Sequence, residues 1–169
     1  MSPRKTRIVD RVLHWLSAGA IIFLLFDIGF KVHIVDYRIK GAVQHKQDAI
    51  EIHALVACIL LLILVSRLIW YRFFLAKEFH LKYTDSKHKL AVRIVHFSMY
   101  LTFLLLMMSG VLMVLNYEHP LNILGIVQLS EAGGDRSLFF SAHDWHLYFE
   151  STVYFLIFLH LAGVMYSHR

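Results

Sequence analysis

Four long apolar stretches, each about as long as a bilayer is thick, constrain this chain more than any other feature. They run over roughly 12–30, 52–74, 94–116 and 146–167. A helix rising about 1.5 Å per residue needs about 20 mostly apolar residues to cross the hydrocarbon core. Charge inside them is sparse, with Asp27 near the end of the first and Arg67 in the second. The stretches are apolar nearly all round and do not alternate, which argues against half-buried strands. In lipid every backbone polar group must be bonded within the protein, and a helix does that by itself. Of the 169 residues, 58% are apolar and only 17% are charged; a soluble domain carries about 25% charged residues. The expected fold is therefore all-α, an integral membrane four-helix bundle forming a single domain over 1–169.

Basic residues set the expected direction of the helices, because lysine and arginine accumulate on the cytoplasmic side. Arg4, Lys5, Arg7 and Arg11 precede the first stretch, and Arg67, Arg72, Lys77, Lys82, Lys87, Lys89 and Arg93 lie at the second connection. With Arg169 they make twelve of the seventeen basic residues; Lys31, Arg38, Lys40, Lys46 and Arg136 occupy the other two connections. Both termini are expected in the cytoplasm, with 31–51 and 117–145 facing outward. The net charge of +5 thus belongs to membrane edges in contact with lipid headgroups, and no nucleic acid partner is expected. The basic start resembles that of a signal peptide. The first apolar stretch is too long for one, however, and no small-residue cleavage site follows, so a retained helix is expected. The lone cysteine, Cys58, allows neither an internal disulfide nor a thiolate cage. No phosphate loop, nucleophile elbow or carboxylate pair supports hydrolase chemistry.

Twelve histidines stand out, since imidazole is the commonest metal ligand among side chains. His14 lies near the cytoplasmic start of the first stretch, and His53 and His146 lie at the outer starts of the second and fourth. His160 lies deeper in the fourth. His146 and His160 are fourteen residues apart, which brings their rings to within about 40° of one face at levels separated by about 21 Å. Two haems stacked across a membrane need about that separation. The opposing histidines sort by depth, His53 with His146 and His14 with His160, so two bis-histidine haems fit the core of such a bundle. His143 competes for the outer position, but its ring would point about 100° away from that of His160, and His146 is preferred. His96, near the cytoplasmic end of the third stretch, is the other rival. Met107, Met108 and Met113 are expected to pack, and Phe139, Phe140, Trp145 and Tyr148 to form an interfacial belt.

With these residues the chain resembles the bacterial cytochrome b561 family, which includes superoxide oxidase, over nearly its whole length. The marks are His14-Trp15, His53 with Ser66-Arg67-Leu68-Ile69-Trp70, His96 with Tyr100, Trp145-His146, and His160. The resemblance implies two b haems on His14, His53, His146 and His160, and electron exchange with a quinone, ubiquinone being the expected partner. It also implies a bacterial inner membrane location. Two departures are evident. Ala57 stands where many members have glycine. Ser167-His168 and then Arg169 stand where many have paired histidines and a basic tail, near the quinone in some relatives.

His96 and His168 are candidate quinone contacts. Arg67, fourteen residues after His53, is a candidate contact for a haem propionate or a quinone oxygen, the alternative being an interfacial anchor. Lys82, Lys87 and Lys89 are expected to form a solvated edge. Lys31, Arg38, Lys40 and Lys46 would attract an anion such as superoxide, although Asp36, Asp48 and Glu51 nearly cancel them. Asp27 is expected to pair with a basic loop residue. The expected function is a di-haem cytochrome, an oxidoreductase that passes electrons between a periplasmic donor such as superoxide and membrane quinone. One alternative is a haem-bearing anchor that relays electrons within a larger oxidoreductase. A histidine-lined metal or proton transporter is a remote third, against which the depth-matched pairs argue.

Overall fold

The computed structural model describes residues 3–30, 43–75, 86–118, 122–123, 127–128 and 133–167. Asp27, Lys31, Asp36, Arg38, Lys40, Lys46, Lys77, Lys82, His168 and Arg169, which figure in the expectations above, have side chains outside the described residues. Four α-helices account for nearly all of it: α1 (Pro3–Phe30), α2 (Val43–Trp70), α3 (Ser86–Leu115) and α4 (Arg136–Ser167). One π-helical turn, Tyr71–Leu75, continues α2. Between α3 and α4 a two-residue antiparallel ladder pairs β1 (Asn122–Ile123) with β2 (Val127–Gln128). The four helices are long and apolar enough to cross a membrane, and the chain is a multi-pass membrane protein.

The helices begin about eight to ten residues before the apolar stretches, so those stretches mark helix interiors and not helix starts. Intrahelical hydrogen bonding does not require lipid. A polar turn such as Ser86-Lys87-His88-Lys89 stays helical where it emerges into headgroups and water. As a consequence His53 and His146 do not open their helices: about ten helical residues precede each.

Two compact units make up the fold. In the first, α1 packs on α2 and on the π-helical turn. In the second, α3 packs on α4. Beside Leu60, Leu64, Phe103, Val153 and Leu156, four small hydroxyl residues are buried among the described residues: Thr6, Ser17, Thr102 and Ser109. Such residues let membrane helices approach closely. The hydroxyls of Ser17 and Ser109 find carbonyls on their own helices, Ser17 Oγ on His14 (2.8 Å) and Ser109 Oγ on Leu106 (2.8 Å). Many of the large apolar side chains point outward. Trp15 is 72% exposed, Phe158 68% and Met165 74%. Water would penalise such a surface heavily, whereas hydrocarbon is its natural solvent.

The entry to α4 shows how the second unit is tied at one end. Asp135 caps the helix, its Oδ1 accepting from the backbone N–H of Ser137 (2.8 Å) and Leu138 (3.2 Å), two donors that otherwise lack a partner. The Asp135 N–H donates to Oδ1 of Asn116 just past α3 (3.3 Å), and Asn116 Nδ2 donates back to the Leu112 carbonyl (2.9 Å). Gly133 takes a φ of +102°, and a Cβ on Gly134 would lie 2.7 Å from the Asn116 carbonyl oxygen. Asp135→Ala should lower stability by about 1 kcal/mol through loss of the cap. Gly134→Ala should cost more, because backbone cannot yield as a flexible side chain can. Thermal unfolding in detergent should rank the variants wild type, Asp135→Ala, Gly134→Ala in falling order.

Candidate functional site

Of the seven half-buried histidines among the described residues, five lie within the apolar stretches: His14, His53, His96, His146 and His160. Their neighbours in sequence face the other way. Trp15, Ile52, Trp145 and Leu161 are all exposed. Each helix therefore turns its imidazole away from lipid while presenting an apolar side chain to it, as expected where polar groups within a span cost several kcal/mol.

In the second unit two of the three histidines of α4 meet two different stations on α3. Nδ1 of His146 lies 3.0 Å from Oγ of Ser109. The next residue, Gly110, leaves room for the ring: a Cβ there would sit 3.4 Å from His146 Cε1. Fourteen residues further along α4, the His160 ring stands perpendicular to that of His96, with centroids 5.1 Å apart and planes at 86°. Nδ1 of His96 is bonded to the Val92 carbonyl of its own helix (2.7 Å). Since a carbonyl only accepts, Nδ1 carries the proton and Nε2 the lone pair. These contacts run in opposite order along the two helices and set their antiparallel register. His143 turns elsewhere. Its Nδ1 is 3.8 Å from Asp144 and its ring stacks at 6.3 Å on Phe139.

In the first unit, Nδ1 of both His14 and His53 is shut off from solvent. Arg67 faces Asp10, four residues before His14, with Nε 3.8 Å from Oδ1 and both side chains less than a third exposed. One turn further out, the Trp70 indole donates to the Thr6 carbonyl (3.3 Å) and stacks on Phe74 at 4.5 Å. The helix pair is therefore clamped at the end that holds His14. Asp10 and Ser109 were not among the residues singled out from sequence. Asp10 had a readable signal, an acid one turn from a histidine on the same helix face. Ser109 had none, because its partner is 37 residues away.

These donors suit haem. Among the described residues no group of three or more His, Cys, Asp or Glu gathers as a bare ion would need. A porphyrin supplies four of the iron's ligands itself and asks the protein for one or two imidazoles. There is also space beside one of them. Gly163 lies three residues after His160, hence on its face of α4, and a Cβ there would meet nothing within 4 Å.

A family model described as prokaryotic cytochrome b561 matches residues 5–169. No curated protein and no solved structure matches the chain.

The Asp10–Arg67 pair is open to a double-mutant cycle. Asp10→Ala and Arg67→Ala should each lower the unfolding temperature in detergent. The double variant should lose less than the sum, by a coupling on the order of 1 kcal/mol for a partly screened pair.

Proposed function

The chain belongs to the prokaryotic cytochrome b561 family, and on that premise we propose that it is a di-haem oxidoreductase exchanging electrons between a periplasmic donor and membrane quinone. Membrane electron transfer on haem b is the activity of the family. The finer reading concerns how many haems there are, which residues hold them and what lies at either end. The observation that carries it is the spacing of His146 and His160 on one unbroken helix, each turned towards α3 at its own level. His53 and His14 supply the opposing imidazoles, each assigned by its depth along its own helix: His53 with His146 on the outer side, His14 with His160 on the cytoplasmic side. Both termini then face the cytoplasm, and the membrane is the bacterial inner one.

When bound, haem would supply reversible one-electron chemistry, with His14, His53, His146 and His160 as the residues that would hold it. The residues of the chain do the rest. With a pair of imidazoles holding each haem, a donor would be oxidised without binding the metal. The apolar exteriors of the helices keep water from the ligands, and burial helps to set the potential. His96 beside His160, Arg67 beside Asp10, and His168 are the candidate groups for a quinone near the cytoplasmic level. There a neutral imidazole can accept or donate a proton as quinone becomes quinol.

Superoxide is the proposed donor. Two superoxide anions lose one electron each to become dioxygen, and one quinone takes two electrons and two protons to become quinol. The test uses the purified chain in liposomes containing ubiquinone, with superoxide generated outside and quinol measured directly. Quinol formation above a haem-free control supports a self-sufficient oxidoreductase. Haem that is reduced by dithionite but neither by superoxide nor by quinol would assign the chain instead to a relay within a larger complex.

A further inference from the structure

Ser109 is one of the most buried polar residues of the chain, at 4% exposure. A hydroxyl has one proton to give, and the Ser109 hydroxyl gives it to the Leu106 carbonyl three residues back, at 2.8 Å. The remaining contact, 3.0 Å to Nδ1 of His146, must then run the other way, with Nδ1–H donating to Oγ. This fixes the tautomer of His146. The proton sits on Nδ1, and Nε2 carries the lone pair that a metal requires. The contact also holds the ring against rotation. Gly110 beside it brings the backbone of α3 close enough for the ring to rest there.

We infer that Ser109 is a positioning residue for the outer haem: through the chain His146 Nδ1–H to Ser109 Oγ–H to Leu106 carbonyl, it orients the axial imidazole and raises its basicity. The inference rests on the reading of His146 as an axial ligand. A hydrogen bond from the far nitrogen of a ligating histidine makes the near nitrogen a stronger donor, and loss of such a partner costs about 10–100-fold in metal affinity or activity. A stronger donor favours ferric over ferrous iron, so Ser109 lowers the midpoint potential of the outer haem. On α3 the ring recorded against His160 is another imidazole, that of His96, perpendicular to it at 5.1 Å.

The test compares Ser109→Thr with Ser109→Val, which are nearly isosteric and differ in the hydroxyl, alongside His146→Ala. Each is purified in detergent, its haem counted, and the protein titrated by visible absorption and low-temperature electron paramagnetic resonance. His146→Ala should remove one of two haems. Ser109→Thr should keep the wild-type midpoints and g-values. Ser109→Val should raise one midpoint by about 59 mV, the equivalent of a tenfold change for a one-electron couple, and move the low-field g-value of the same haem; loss of that haem in Ser109→Val alone supports the inference equally. If the Thr and Val variants behave alike while His146→Ala loses one haem, the role of Ser109 is overturned and the ligand assignment stands. If His146→Ala keeps both haems, the assignment falls and takes the role of Ser109 with it.

Discussion

A polar ring inside hydrocarbon must have its nitrogens satisfied by protein or by a bound group, and that constraint governs the arrangement of this molecule. Leaving a buried donor or acceptor unmatched costs several kcal/mol where no water can reach it. α3 meets the demand with small means. Ser109 and Gly110 receive the ring of His146, and fourteen residues along α4 His96 stands against His160. The helix pair closes around these contacts together with Phe103, Ala142, Val153 and Leu156, while many other large apolar side chains face outward. The imidazoles turn inward while much of the apolar surface faces outward, as hydrocarbon allows.

The first unit solves a related problem at its end. Arg67 brings a full charge to the edge of an apolar helix, and Asp10 answers it from α1. The Trp70 indole, amphipathic like others at membrane interfaces, donates to the carbonyl of Thr6 while its ring stacks on Phe74. The two helices that carry His14 and His53 are thereby locked at one end, and the depth of each histidine follows from the lock. Electrostatics and aromatic packing here serve positioning, which is what electron transfer asks of a protein whose redox chemistry belongs to its cofactor.

Much of this was legible in the sequence because lipid imposes a simple code. Four apolar stretches announced four helices, and a fourteen-residue spacing announced two rings on one face. The ends of the helices were not legible, since nothing in hydropathy says that the turns before Ile52 or His146 stay helical outside the membrane. Arg67 was readable as a charge needing company, but its partner was not, because Asp10 reads as one more polar residue of the N-terminal segment. Ser109 was invisible for a deeper reason. A serine among leucines and methionines looks like filler until packing brings it to a ring 37 residues away. Sequence patterns report what a helix shows to solvent, whereas pairwise chemistry across a helix interface appears only in three dimensions.

The most direct measurement of the central claim is the reduced-minus-oxidised visible spectrum of the purified chain together with its haem-to-protein ratio. Two low-spin b haems per chain, with no binding of carbon monoxide to the reduced form, are the predicted result for two irons each closed by two imidazoles. A single haem, or a high-spin iron that takes up carbon monoxide, would contradict the four-histidine arrangement.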